Sequence, residues 1–593
     1  MSRSRLPPPA ATGSRRRRST AGVARVLSPR GALVLHRVDG ASSFALRAAL
    51  AMAVPAVPMA LAGHSEQAVY AMLGSFTTTF GRNLPYAHRA RVLALVAVAM
   101  TACVGGGSAL AVWARPREGG AGEVVVVVAM ALVAGVAKFV CDAARLRGLG
   151  AVLLLFSFAV AANGAPAPGD VLPQTVLAAV GGAVAWVLAV SGWLVHPDRP
   201  QRLAVAAALR DLAELLEALG EGDGRGLTRH RATADTLRAY RSLGVMPPTA
   251  AERGGRGDVC VRLADLSWSL LIDSARRSPD DPAALAFHLR RQVRLLVSRR
   301  RRVPSLLPEL SVAFVIVQGG TGPGTAGAGR DPARPSTRLA AELRAAELVT
   351  GRLPGGHGHL PVLLVPALRI VLGTGLAGGL ALLLGLGHGY WAAISAAAVL
   401  HSINLRTAAQ RAVQRTLGTI AGLALALGVL ATDPDPVALV LVIVLLEFLL
   451  EYVVANYGLG VVFLTPLALL MTSLAAPAPA GTLVQDRALS SLLGIVVGLG
   501  CGLLVVHGHA AIRAECALRA CTEAAGRAER ALTERAEPAF PVVQTQLAAA
   551  VVELREADDA AAGELWQAEI DPTELAAAEQ RAYLLLERLL RWR

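Results

Sequence analysis

The sequence predicts an all-α membrane protein of about twelve transmembrane helices, laid out as two parallel six-helix repeats with α-helical cytosolic domains attached. Three observations predict it. Mean hydropathy is +0.50, and 54% of the 593 residues are hydrophobic against 17% charged, too apolar a balance for a soluble chain of this size. The apolar residues gather into segments of roughly 20, the helix length that crosses a hydrocarbon layer of about 30 Å, through 44–195 and again through 359–506. The third is an internal echo. Gly148-Leu-Gly-Ala-Val-Leu-Leu-Leu-Phe-Ser-Phe158 is answered by Gly458-Leu-Gly-Val-Val-Phe-Leu-Thr-Pro-Leu-Ala468, Gly63-His64 by Gly387-His388, Arg82 by Arg406 and Arg91 by Arg415.

Taken in order, the chain opens with a basic arm, 1–43, holding nine arginines and only Asp39 in opposition. The first membrane repeat, 44–195, divides into spans at about 44–63, 67–80, 92–114, 124–141, 149–162 and 171–195. The second, 359–506, divides at about 359–386, 390–403, 412–431, 436–454, 459–474 and 488–506. Ala60-Leu61-Ala62 also reads as a signal-peptidase site after an apolar run. The long basic arm ahead of it and the matching internal segment at 359–386 favour a retained helix.

Orientation follows from the arginines. Arg82, Arg89 and Arg91, then Arg145 and Arg147, then Arg199 and Arg202 fall on alternate loops, as do Arg406, Arg411 and Arg415. The opposite loops at 161–169 and 432–436 carry no cation, so both termini and the central block are expected in the cytosol of a multi-pass cell-membrane protein. The loop at 115–123 is a mild exception, its cations balanced by Glu118 and Glu123. Six spans per repeat give the copies one orientation.

Between the repeats, 196–358 contains helical stretches at Arg202–Leu219, Val261–Arg277, Pro282–Arg299 and Thr337–Arg352, with a glycine-rich linker over 319–329. The tail, 507–593, is rich in Ala, Glu, Arg and Leu and reads as amphipathic helix. These soluble helices most simply pack on one another beneath the membrane.

The formal charge of +15 would suggest nucleic acid in a soluble protein. Here it lies in the basic arm and beside apolar segments, the positive-inside pattern, so lipid headgroups rather than nucleic acid are the expected partner. Lys138 is the only lysine, which leaves no Walker A loop and excludes an ATP-driven pump. The six cysteines include no C-x-x-C pair and support neither a metal site nor a disulfide frame; no cofactor is expected. A homo-oligomer is compatible with the plan.

The second repeat carries Tyr390-Trp391, Arg411, Arg415-Thr-Leu-Gly-Thr-Ile-Ala-Gly422, Glu451-Tyr452, Asn456-Tyr457 and Thr465-Pro466. This run resembles the fusaric acid resistance protein-like family of integral membrane transporters, which includes aromatic acid exporters. The plan of six spans, soluble domain, six spans, tail is similar as well. The first repeat departs from it: Arg91-Val92-Leu93 lacks the Gly-Thr, and Leu155-Phe156 stands for Thr-Pro. The resemblance implies efflux of small, often aromatic, organic acids and no catalysis.

Candidate pathway residues follow from cost. An ionisable group at the bilayer midplane costs roughly 2.5–3.5 kcal/mol by insertion scales, so each needs a reason. Glu447 and Glu451 are one turn apart on one helix face, and Lys138 and Asp142 occupy the corresponding region of the first repeat. A Glu facing Lys138 across the repeats is one reading, a proton carrier at Glu447 another, and snorkelling to the interface a third. The two short segments, 67–80 and 390–403, hold Ser75 and Thr78, and Ser395, His401 and Asn404. Paired short segments point to a midplane site, though small polar residues also serve helix packing. Arg411 and Arg415 at the cytosolic mouth can attract an organic anion or simply set topology. A secondary transporter, a gated anion channel and a membrane scaffold with interaction helices all fit this pattern.

Overall fold

The computed structural model describes residues 40–311 and 360–592, apart from short breaks. The breaks fall at 83, 117–119, 145, 147–149, 165, 220–224, 249–257, 276–278, 280 and 299–304, and at 403–404, 454–455, 477–478, 505–508 and 563–570. Most of the basic arm, the linker at 319–329, the helix expected at Thr337–Arg352 and Asn404 lie outside the described residues.

Among the described residues the regular structure is helical throughout. The first apolar block is α1 (Ala41–Leu61), α2 (Ser65–Ser75), α3 (Tyr86–Ala114), α4 (Ala121–Ala143), α5 (Gly150–Ala162) and α6 (Val171–Val195). A second block is α11 (Leu360–Leu383), α12 (Tyr390–Leu400), α13 (Leu405–Leu430), α14 (Pro436–Tyr452), α15 (Tyr457–Ala475) and α16 (Ala480–Leu504). Between them lie α7 (Arg199–Ala218), α8 (Arg225–Leu243), α9 (Val259–Asp273) and α10 (Pro282–Val297), and after them α17 (His509–Thr533), α18 (Phe540–Ala562) and α19 (Pro572–Arg591). Helix starts follow local chemistry: Asp435 Oδ1 accepts from the Val437 and Ala438 amides at 2.9 Å, with Pro436 at the first helical position.

Among the described residues eight helices are long and apolar enough to cross a membrane: α1, α3, α4, α6, α11, α13, α15 and α16. The remaining four of the two blocks are shorter, with α2 and α12 only 11 residues, about 16 Å of helix. Every residue of α12, and α2 from Ala68 onward, is buried. The short segment at 67–80 does not stay α-helical. Phe76–Thr79 tightens into a 3₁₀ turn, in which the Thr77, Thr78 and Thr79 hydroxyls each donate to the carbonyl three residues back, at 2.8, 3.1 and 2.8 Å.

Helix pairings recur between the blocks. The contacts α1–α2, α2–α6, α3–α5, α3–α6 and α4–α5 have counterparts in α11–α12, α12–α16, α13–α15, α13–α16 and α14–α15. Across the seam, α1 packs on α14 and α11 on α4. The closest approaches are made through glycine. A Cβ on Gly74 would lie 2.0 Å from the Ala178 carbonyl oxygen, and one on Gly494 would lie 2.2 Å from that of Ala392, so α2–α6 and α12–α16 meet backbone to backbone. The outer faces are apolar. Val124, Val128, Leu132, Val136 and Val140 on α4 and Leu364, Leu368, Leu372, Leu376 and Leu380 on α11 form four-residue stripes left exposed, the pattern of a lipid-facing helix.

The seven amphipathic helices build a separate core centred on Trp268, Leu209, Leu212 and Leu586. It joins the middle of the chain to its tail. The Trp268 indole N–H donates to Gln544 Oε1 at 3.1 Å, Thr233 and Tyr583 share a hydrogen bond of 2.8 Å, and Arg591 pairs with Asp273 at 2.9 Å. Helix α8 was not expected from the sequence, because its arginine-rich text lacks a strong apolar period.

Candidate functional site

Two groups of buried charged side chains stand out inside the apolar blocks among the described residues. The first lies where α14 crosses α1, at the end of the blocks that meets the amphipathic domain; Arg199, which opens α7, approaches Gly40 just ahead of α1. Glu447 and Glu451 leave the same face of α14 and are 1% and 3% exposed. Opposite them, in the turn after the 3₁₀ segment, stands Arg82. Its Nη2 forms an ion pair with Glu451 Oε2 and donates to the Glu451 carbonyl at 3.2 Å, while its guanidinium lies 3.8 Å from the centre of the Phe44 ring. Glu447 Oε2 has no hydrogen-bond partner among the described residues.

Arg82 is held from behind. Its carbonyl accepts from Arg89 Nη2, and Arg89 donates further to the Gly81 carbonyl at 3.0 Å and the Ala189 carbonyl at 3.5 Å. Backbone acceptors thus satisfy a buried cation whose task is to shape this turn. Phe44, Arg47, Thr78, Phe80, Arg89 and Ala189 enclose a cleft of about 10 Å³, room for roughly one water.

The second group runs through the second block between α12, α13, α15 and α16. Arg487, on α16, is 2% exposed and stacks its guanidinium 3.7 Å over the Trp391 ring, and its Nε and Nη1 have no hydrogen-bond partner among the described residues. Arg415, equally enclosed, donates through Nη2 to Ser395 Oγ at 3.2 Å and through Nη1 to the Tyr457 hydroxyl at 3.3 Å. Arg411 sits 5.5 Å from the centre of the Tyr457 ring. Towards the other end of the block, His388 Nδ1 meets Asp486 Oδ2 at 2.8 Å. Phe76, Phe156 and Trp391 form an aromatic line across the seam, with centroids 6.0 and 5.8 Å apart.

Magnitudes separate these cations. A charge at midplane costs roughly 2.5–3.5 kcal/mol on insertion scales. A desolvated cation–π contact returns about 2 kcal/mol. Among the described residues Arg82 has a carboxylate besides its ring and Arg89 has three carbonyls, whereas Arg487 shows only the Trp391 ring, so of these three its charge is the least compensated.

The sequence-derived candidates are distributed as follows. Glu451 finds its cross-seam cation in Arg82; Lys138 instead bonds Asp142 on its own helix at 2.8 Å. Burial of Glu451 leaves no route for it to snorkel. Ser75 Oγ donates to the Ala51 and Ala71 carbonyls at 2.9 Å, and Thr78 is bound to its own turn. Both hydroxyls therefore serve backbone packing first. His401 is half-buried, its amide donating to the Ala397 carbonyl at 2.9 Å as α12 ends. Sequence reasoning missed Arg82 as a partner, Arg89 and Arg487. A cation within the apolar length of α16, in Gln485-Asp-Arg-Ala488, was the available signal.

Taken together, eight lipid-length helices with exposed apolar faces and ionisable groups turned inward define a multi-pass α-helical membrane protein. Residues 376–501, which include both carboxylates of α14 and Arg411, Arg415 and Arg487, match the family model described as fusaric acid resistance protein-like. Over 576 residues the chain is 27% identical to the uncharacterized membrane protein YvaC of Bacillus subtilis (strain 168), spanning 91% of this chain and 84% of that protein. No solved structure matches.

Proposed function

We propose that the protein is a secondary transporter that exports small amphipathic or aromatic organic acids across the cell membrane. In this reading the twelve helices of the two blocks form two like-oriented six-helix repeats, with both termini and the amphipathic domain in the cytosol. The reciprocal helix pairings and the family match over the second block support it. The carrying observation is Glu447: a fully enclosed carboxylate at the seam, one oxygen unpartnered, one turn from the Arg82–Glu451 bridge between the blocks. Such a group can take and release a proton as the seam opens, and the neighbouring bridge is positioned to respond to its charge.

The test is pH-dependent efflux of benzoate from loaded proteoliposomes. Glu447→Gln is expected to uncouple efflux from the proton gradient at normal protein levels. Unchanged pH dependence sinks the proposal. The uncompensated Arg487 and Arg415 favour a second reading, a gated anion channel. It predicts single-channel currents indifferent to a proton gradient, with Arg411 and Arg415 setting selectivity.

A further inference from the structure

Arg487 and Arg415 lie close together. Arg487 covers Trp391 and Arg415 holds Ser395, and these two residues stand one turn apart on the same face of α12, about 6 Å along it. Asp486 follows the opposite direction from its neighbour and is engaged by His388. The contacts made by the pair among the described residues are with neutral groups: the Trp391 ring, Ser395 Oγ and the Tyr457 hydroxyl. Three of their guanidinium nitrogens, Nε and Nη1 of Arg487 and Nε of Arg415, are enclosed without an acceptor. Two enclosed cations with free donors and no acid paired to them among the described residues are an anion site waiting for its anion.

We propose that Arg487 and Arg415 together seat the carboxylate of an aryl acid, whose ring lies against the aromatic line of Trp391 and Phe156. The site belongs to α12, α13 and α16 of the second block, apart from the carboxylates Glu447 and Glu451 on α14. Trp391 has two tasks. It shields Arg487 when no ligand is present, and it supplies a flat apolar wall when one is. The donors at Arg487 Nε and Nη1 then find the oxygens they lack, in the paired geometry guanidinium offers a carboxylate.

The inference rests on the transport reading for the ligand's physiological role, but binding is tested apart from flux. Equilibrium binding of radiolabelled benzoate to the full-length purified protein is compared with competition by cyclohexanecarboxylate. Arg487→Met and Arg415→Gln are each expected to weaken benzoate binding about tenfold to a hundredfold, the loss of one charge-assisted contact. Gly500→Ala, in open space on the helix that carries Arg487, should leave affinity unchanged, and Trp391→Leu should abolish the preference for benzoate over its saturated analogue.

A stability readout separates a binding role from a structural one. Ligand-free Arg487→Met should melt above wild type, because an uncompensated charge has been removed, and benzoate should raise the melting temperature of wild type only. Wild type that fails to bind benzoate, or an Arg487→Met protein that binds it normally or melts below wild type, overturns the site. If wild type transports benzoate while Arg487→Met does so equally well, the site falls and the transport reading stands. If wild type binds benzoate with the expected variant pattern but moves none across vesicles, the transport reading falls and the site stands.

Discussion

Breaking the bridge between Arg82 and Glu451 should cost the protein far more than removing it entirely. The two charges sit at hydrogen-bond separation, 17% and 3% exposed. At about 3 Å and an effective dielectric near 20, their attraction is roughly 5 kcal/mol, much of it offset by the loss of water around each group. Replacing Glu451 by Met leaves Arg82 enclosed with the Phe44 ring and one carbonyl, and replacing Arg82 leaves Glu451 buried beside Glu447. Loss of one partner of a buried pair typically costs about 3–5 kcal/mol, and the residual exposure of Arg82 places its case near 3. The double replacement, Arg82→Met with Glu451→Met, should fall within about 1 kcal/mol of wild type, a coupling of several kcal/mol. Thermal unfolding of the four purified proteins in one detergent measures this cycle. A double variant that loses the sum of the two single losses would refute the argument, since the side chains would then act independently.

Further outcomes follow from other positions. Gly494→Ala should force α16 from α12 and destabilise the protein by about 1–3 kcal/mol or more, seen as a lower melting temperature and poor yield, whereas Gly500→Ala, with open space around it, should be tolerated. Gln544→Ala leaves the enclosed Trp268 indole N–H without its acceptor and should cost about 1–3 kcal/mol, measured by the same unfolding assay. Asp211, on α7, has its carboxyl pushed up to about 7 by burial and by the charges of Asp235 and Glu214. The folded domain therefore holds this proton more tightly than the unfolded chain does, so its contribution favours folding below about pH 4 and is lost as pH rises towards 7. Asp211→Asn should flatten that slope and gain about 1–2 kcal/mol above pH 7 after allowance for the group's partial exposure, read from melting curves across pH. Truncation at residue 508 removes three helices that share the core of α8 and α9, so the shortened chain should aggregate rather than report a lost interaction site.

The membrane half was readable in the sequence because hydrocarbon selects composition along whole segments. Each of the twelve expected segments holds a described helix, but only eight of these are long and apolar enough to cross a membrane, and the shortness of 67–80 and 390–403 is real. What hydropathy conceals is the part of a helix that extends past its apolar run. The expected start at 488 trimmed α16, which begins at Ala480, and with it Arg487; the start at 92 trimmed α3, which begins at Tyr86, and with it Arg89. The chemically loaded residues are in the trimmed turns, since polar side chains disqualify a window whether or not they are buried. Pairing was less accessible still. Glu451 has equal claims on any cation at its depth, and only the crossing of α1 over α14 decides for Arg82 over Lys138.

The shared amphipathic core limits how the two apolar blocks can move. Residues 196–198 link α6 to α7 and residues 505–508 link α16 to α17, and both α7 and α17 are built into that one body. Four residues fully extended reach only about 14 Å, so at this edge the blocks are pinned within a short leash of a common pivot. Any large parting of the blocks must then widen away from the pivot, like the free ends of hinged tongs, and the buried carboxylates near the hinge would sense the angle while the gap itself grows on the far side.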